Sequence, residues 1–217
     1  MYIERITTAW GLEMANTRRV TIKVYERLWD SFTKQTEDLF LKRDAFLNHV
    51  IRSEIPQLIK EIGGRKLSQK ARLYISRELS KLVTIPVNIV LDEDVATSLD
   101  GVVKEANLVR DAFINRLIMW LRSQDALLNS LGMPLRPNDQ GTGDSLPVSP
   151  MKAMEEVRDD PFCYIRAYLE KDGEGLYTLD LTSILTPAMS IGLSCYLDDE
   201  KVPGTEAYVS PEEEEAI

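Results

Sequence analysis

In the stretch RRVTIKVYE, residues 18–26, Arg19, Thr21 and Lys23 occupy alternate positions between Val20, Ile22 and Val24. On a strand, successive side chains point to opposite faces, so this spacing predicts one apolar face and one face of two cations and a hydroxyl. The chemistry such a face offers is hydrogen-bond donation and charge pairing. Bond-making chemistry has little to work with elsewhere. His49 is the only histidine, set between Asn48 and Val50 on a helical pattern, where it reads as a surface or packing residue. No glycine-rich phosphate loop, paired-carboxylate motif or Ser/His/Asp set is present, so no catalytic residue is assigned and no enzyme is expected. Asp198, Asp199 and Glu200 read as a solvated turn, and Cys163 and Cys195 are too few and too widely spaced for a metal site or a disulfide scaffold. No metal and no cofactor is expected. Trp10, Trp29 and Trp120 read as packing anchors.

A second signature is a phrase written twice. RDAFLN at 43–48 returns as RDAFIN at 110–115, 67 positions later. Laying Val20–Ile51 over Val87–Ile118 without a gap makes 11 of 32 positions identical. Most of the others keep their apolar or polar character, as with Val24 over Leu91 and Leu47 over Ile114. The repeat marks a duplicated unit of roughly 45 residues, too small to bury a core alone, so the two copies are expected to pack on each other.

The elements that carry these residues follow from periodicity. Strand 1 holds Val20, Ile22 and Val24 on its inner face. A helical pattern through Glu26, Leu28, Asp30, Phe32 and Leu39 comes next, then a break near Phe40–Lys42. A longer amphipathic helix then places Phe46, Leu47, Val50, Ile51 and Ile55 on one face. Pro56 is expected to bend or interrupt it and Gly63-Gly64 to end it. The second copy repeats the plan. VNIVLD is the strand, with Val87, Ile89 and Leu91 inward and Asn88 and Val90 outward. Helices follow from Glu93 to about Glu105 and from Val109 to about Asn129. Between the copies, SQKARLYISRELSKL reads as a connecting helix capped by Ser68.

The segment 131–150, with four prolines and three glycines, reads as a linker. FCYIRAYLEKDGEGLYTLDL predicts two strands around a KDGEG turn, and AMSIGLSCYL a third. The expected organisation is an arm at 1–16, unit 1 at 17–65, a connecting helix at 66–82 and unit 2 at 83–130. Beyond the linker come a small β-rich acidic module at 151–205 and a disordered acidic tail at 206–217.

The net charge of −9 conceals a gradient. Residues 17–81 carry 15 Lys and Arg against 8 Asp and Glu, whereas residues 137–217 carry 5 against 18. A basic head joined to an acidic module is the expected arrangement. No apolar run reaches 18 residues, and the N-terminal stretch lacks the apolar core of a secretory signal, so neither a membrane partner nor export is expected. The cytoplasm is the expected location.

A short strand, a helix, a tight turn and a second helix, in RVTIKVYERLWDSF…LKRDAFLNHVI and again in PVNIVLDEDVATSL…LVRDAFINRLI, resemble the ribbon-helix-helix superfamily of DNA-binding proteins (Arc/MetJ/CopG-like) in a tandem two-copy form. The resemblance covers about half of the chain. It implies a mainly α fold with a short β-ribbon, in which two strands pair antiparallel and enter the major groove of double-stranded DNA. A major groove about 12 Å wide admits such a ribbon, and its base edges carry a distinct donor and acceptor code.

Carried over by position, the base-reading residues are Arg19, Thr21 and Lys23 from strand 1, with Asn88 and Val90 from strand 2 beside Pro86. Pro86 and Val90 depart from the family's polar habit, so strand 2 is expected to hold the pseudo-dimer more than to read bases. The start of the second helix in each unit implies phosphate anchoring by Lys42, Arg43 and Arg110, together with Arg18, with Asp44 and Asp111 capping or favouring the helix dipole. Phe46 and Phe113 are the expected core anchors.

The expected function is sequence-specific regulation of transcription. A DNA-binding accessory protein of plasmid transfer or partition, similar to relaxosome components, is one alternative, and an antitoxin-type protein-interaction module is the other. The partner expectations beyond DNA are a second copy of the chain, and RNA polymerase or another protein touching the acidic C-terminal module.

Overall fold

In the computed structural model of the chain, the residues described are 16–122, 161–170, 173 and 175–177. The β-branched runs form two nine-residue strands, β1 (Thr17–Tyr25) and β2 (Thr84–Asp92), paired antiparallel as a two-stranded ribbon. Thr21 lies opposite Asn88, and these two occupy equivalent places in the repeat. A pseudo-two-fold axis therefore passes through that pair.

The rest of the head obeys the same axis. Helices α1 (Glu26–Asp38) and α4 (Glu93–Glu105) match end to end, and α2 (Arg43–Ile62) and α5 (Arg110–Leu121) begin at equivalent residues. Even the two left-handed non-glycine residues among the described residues, Phe40 and Asn107, stand at the same place in their turns. The connecting helix α3 (Gln69–Ser80) starts where expected, with the Ser68 hydroxyl accepting from the Ala71 amide at 3.0 Å. The ribbon forms within one chain.

A two-stranded ribbon is marginal by itself and needs an apolar layer beneath it. Val20, Ile22, Val24, Ile89 and Leu91 supply the ribbon's underside, against Phe32, Leu47, Val50, Ile51, Phe113, Ile114, Leu117 and Ile118. The halves interlock: α2 packs on β2 and α4, while α5 packs on β1 and α1. Each second helix thus supports the other unit's strand, and neither unit holds a core of its own.

Four expectations are corrected. Helix α2 runs through Pro56 without a break. The proline removes one backbone hydrogen bond, but the continuous buried face of Val50, Ile51, Ile55, Leu58 and Ile62 outweighs that loss. Leu39 is not on the buried face of α1; it caps the helix and is exposed, because the chain turns there through the left-handed Phe40. Phe46 is only partly buried, stacked on Phe32 at 6.4 Å, whereas Phe113 is fully buried.

The first strand expected in the C-terminal module is helix α6 (Cys163–Leu169). There Phe162, Arg166 and Leu169 are buried and Ile165 is partly buried, a spacing that suits one helical face. The start of the second expected strand, Leu176 and Tyr177, is a turn; the rest of that strand, the third expected strand, the 131–150 linker, the acidic tail, residues 1–15 of the 1–16 arm and the extension of α5 to Asn129 lie outside the described residues.

Candidate functional site

The six side chains on the upper face of the ribbon are all exposed: Arg19, Thr21 and Lys23 on β1, and Pro86, Asn88 and Val90 on β2. They face one another as Arg19 with Val90, Thr21 with Asn88 and Lys23 with Pro86. From Arg19 to Lys23 the face spans about 14 Å, with the strands about 5 Å apart. At its centre the Thr21 hydroxyl donates to Asn88 Oδ1 at 2.7 Å, which leaves the Asn88 amide nitrogen as a donor. The surface presents donors and two cations along β1, and one amide between two apolar side chains along β2.

The repeated RDAF phrase holds this face in place. An isolated ribbon leaves backbone amides unpaired along both outer edges. Asp44 accepts from the Val90 amide at 3.1 Å and Asn48 from the Asp92 amide at 2.8 Å. The pseudo-two-fold axis repeats both contacts, with Asp111 accepting from the Lys23 amide and Asn115 from the Tyr25 amide at 2.9 Å. Asn115 also donates to the Lys23 carbonyl at 2.9 Å. These four residues clasp the edges of the opposite unit's strand. Asp44 and Asp111 lie in the first turns of α2 and α5, where their charge favours the helix dipole, but neither caps its helix: the capping positions are Lys42 and Val109, and neither supplies a side-chain hydrogen bond. Burial raises the Asp111 carboxyl above its ordinary pKa, outweighing the Lys23 amide and the Arg110 and Lys23 charges that lower it.

The cations expected to anchor phosphates flank the ribbon. Arg18 donates to Asp100 at 2.7 Å and stands 3.9 Å from Glu93. Arg43 bonds Asp44 at 2.8 Å and lies over the Trp29 ring at 4.6 Å. Arg110 donates to the Thr21 carbonyl at 2.8 Å, with Asp100 at 3.8 Å. All three are about one-third exposed, oriented by carboxylates or carbonyls, while Lys42 is exposed at the start of α2.

Beyond the ribbon, Arg52 forks onto Asp92 and Asp94 at 2.8 and 2.6 Å and ties α2 to the start of α4. Hydrogen bonding to Arg52 holds the Asp94 carboxyl below its ordinary pKa. A second polar cluster, unsignalled in the sequence, pins the C-terminal segment to the head. Arg166 of α6 reaches Glu54 at 2.6 Å and Glu61 at 3.5 Å, and Tyr177 donates its hydroxyl to Glu54 at 2.6 Å. The Tyr177 amide donates to Glu61 at 2.8 Å, while Arg116 and Trp120 both donate to the Leu176 carbonyl. Burial pushes both the Glu61 carboxyl and the Tyr177 hydroxyl up, the latter strongly. Glu54 and Glu61, seven residues apart, share one face of α2, but only the fold brings Arg166 and Tyr177 to them.

Among the described residues no group of histidine, cysteine and acidic side chains could hold a metal ion, and no helix is long and apolar enough to cross a membrane. No protein-family model, curated protein or solved structure matches this chain.

Proposed function

We propose that the chain is a tandem ribbon-helix-helix protein that binds a specific site in double-stranded DNA and regulates transcription there. The observation that carries this reading is the ribbon's upper face: six alternating side chains, all exposed, on a two-stranded sheet narrow enough for a major groove about 12 Å wide. Arg19 and Lys23 suit the guanine O6 and N7 acceptors. Asn88, with its oxygen taken by Thr21, offers an amide donor to an acceptor on the base edge, and the Val90 methyls suit a thymine methyl.

Arg18, Lys42, Arg43 and Arg110 flank the ribbon, where they hold the phosphates on either side of the groove. The side-chain-uncapped starts of α2 and α5 add backbone amides and the positive ends of two helix dipoles. Because β1 is basic and β2 is nearly neutral, the preferred site has two unlike halves.

Selection of bound duplexes from a random library, followed by anisotropy titration of the winner across a salt series, tests this. A single enriched, non-palindromic motif with affinity falling steeply with salt is expected. The absence of any enriched motif, or binding indifferent to salt, refutes it.

A further inference from the structure

The two turns related by the pseudo-two-fold axis differ in what covers them. In unit 2, Ala106 and Leu108 are buried and Asn107 adopts the left-handed conformation. The Asn107 side chain donates to the Leu67 carbonyl at 2.8 Å and accepts from Arg72 at 2.9 Å. The Leu67 amide in turn donates to the Ala106 carbonyl. The lead-in to α3 therefore seals that turn. In unit 1 the equivalent residues are Leu39, Phe40 and Leu41, with exposures of 58%, 97% and 38%.

Phe40 also has φ of 56°, a region that asparagine tolerates and a bulky side chain rarely adopts. The turn thus holds an exposed phenyl ring, at a conformational cost, outside the core formed by the described residues. Backbone strain of this kind concentrates where a side chain is being presented to something.

An apolar hollow lies beside the other turn, at the end of α4. Half-open and about 260 Å³ in volume, it lies between the C-terminal ends of α2 and α4, with Ile59, Ile62, Val102 and Ala106 forming its apolar wall. That volume is below the roughly 300 Å³ at which small-molecule pockets begin, and it suits one large side chain. Ile59 is half exposed there, an apolar side chain left without cover. Arg65 and Lys66 stand at the hollow together with Glu105. The exposed charges beside Phe40 are Glu37, Asp38 and Lys42, a net negative set, whereas Arg65, Lys66 and Glu105 at the hollow are net positive.

The end of α4 beside the hollow is the pseudo-two-fold mate of the end of α1 beside Phe40.

We infer that Phe40 is a docking knob which inserts into the Ile59–Val102 hollow of a second copy of this chain, so that heads associate head to tail. Such a contact is heterologous: every assembly keeps one free knob at one end and one free hollow at the other, and the array grows by addition at its ends. The inference stands apart from DNA binding, since it uses neither the ribbon nor the phosphate-facing cations.

Sedimentation velocity of the full chain without DNA, over a concentration series, tests it with two variants. Phe40→Asn installs the residue that the other unit carries at this place, and Ile59→Glu puts a charge in the hollow at an exposed position. Both should unfold cooperatively at temperatures near the wild type. Wild-type mass is expected to rise with concentration past that of a dimer, and each variant to weaken this association at least about tenfold. An equimolar mixture is expected to recover association that stops at two chains, because only one intact knob and one intact hollow can meet. A wild type that stays monomeric, or variants that associate as it does, overturns the proposal. Single variants that lose association while their mixture fails to recover it would mean another geometry, and overturn it equally.

Discussion

Replacing Arg166 with alanine strands a buried anion. Glu54 is fully buried in α2, and its carboxylate is held by the Arg166 guanidinium at 2.6 Å and the Tyr177 hydroxyl at 2.6 Å. Arg166 is itself nearly buried, so solvent screening does little to weaken the pair. Without the guanidinium the carboxylate loses its closest cation in a low-dielectric site, while the Tyr177 hydroxyl still donates to it. Removing one partner of a buried pair costs about 3–5 kcal/mol, set against a total stability of about 5–15 kcal/mol for a domain of ordinary stability.

The variant should also become more pH-dependent. The Arg166 charge lowers the Glu61 carboxyl against the burial that raises it, so without that charge the folded-state pKa of Glu61 rises further above the unfolded value. The variant then recovers stability as pH falls toward that unfolded value and loses it as pH rises through the folded one. Urea unfolding followed by tryptophan fluorescence reads both effects, since Trp120 donates to the Leu176 carbonyl in the same cluster. A loss below about 1 kcal/mol, the scale of an exposed ion pair, would refute the reasoning, because it would mean that Glu54 meets water.

The edge clasp makes a paired prediction. Asp111→Ala orphans the Lys23 amide and should cost about 1–3 kcal/mol, whereas Asp111→Asn keeps an acceptor and should cost less. Because burial raises the folded-state pKa of Asp111, the wild type loses stability as pH rises through it; chemical denaturation across that window should show this slope removed in Asp111→Asn. On the ribbon, Lys23→Ala should weaken specific DNA binding by about 1–3 kcal/mol and relax the preference at one base pair. Lys42→Ala should instead lower affinity for all duplexes alike and reduce the salt slope by about one, measured by anisotropy. Tyr177→Phe removes a phenol whose folded-state pKa is raised well above the ordinary value. It should weaken the fold at neutral pH, yet lessen the stability lost as pH climbs above about 10, which alkaline denaturation would record.

The ribbon and its inner and outer faces were legible because a strand's period of two survives any tertiary context. The repeat extended that legibility to the second half, so α1, α4 and the paired strands fall where their sequences place them. What could not be read were contacts made across the axis. Asp44 and Asn48 look like helix-start residues along the chain, and only the opposite strand's edge reveals them as acceptors for its amides. The helix at Cys163–Leu169 was hidden because aromatic and β-branched residues mimic a strand over so short a run, and its partners Glu54 and Glu61 lie more than a hundred residues away. The unequal turns at Phe40 and Asn107 were visible as residue types, but not that α3 would seal one and leave the other bare.

Because both strands of the ribbon belong to one polypeptide, every position around the axis is encoded once. In a two-fold pair of identical chains, any substitution arrives twice, and its energetic penalty doubles with it. Here Pro86 faces Lys23 and Val90 faces Arg19, mismatches that an obligatory mirror of either half would forbid. Each half can change while the other stays fixed, so variation reaches the outer face one strand at a time.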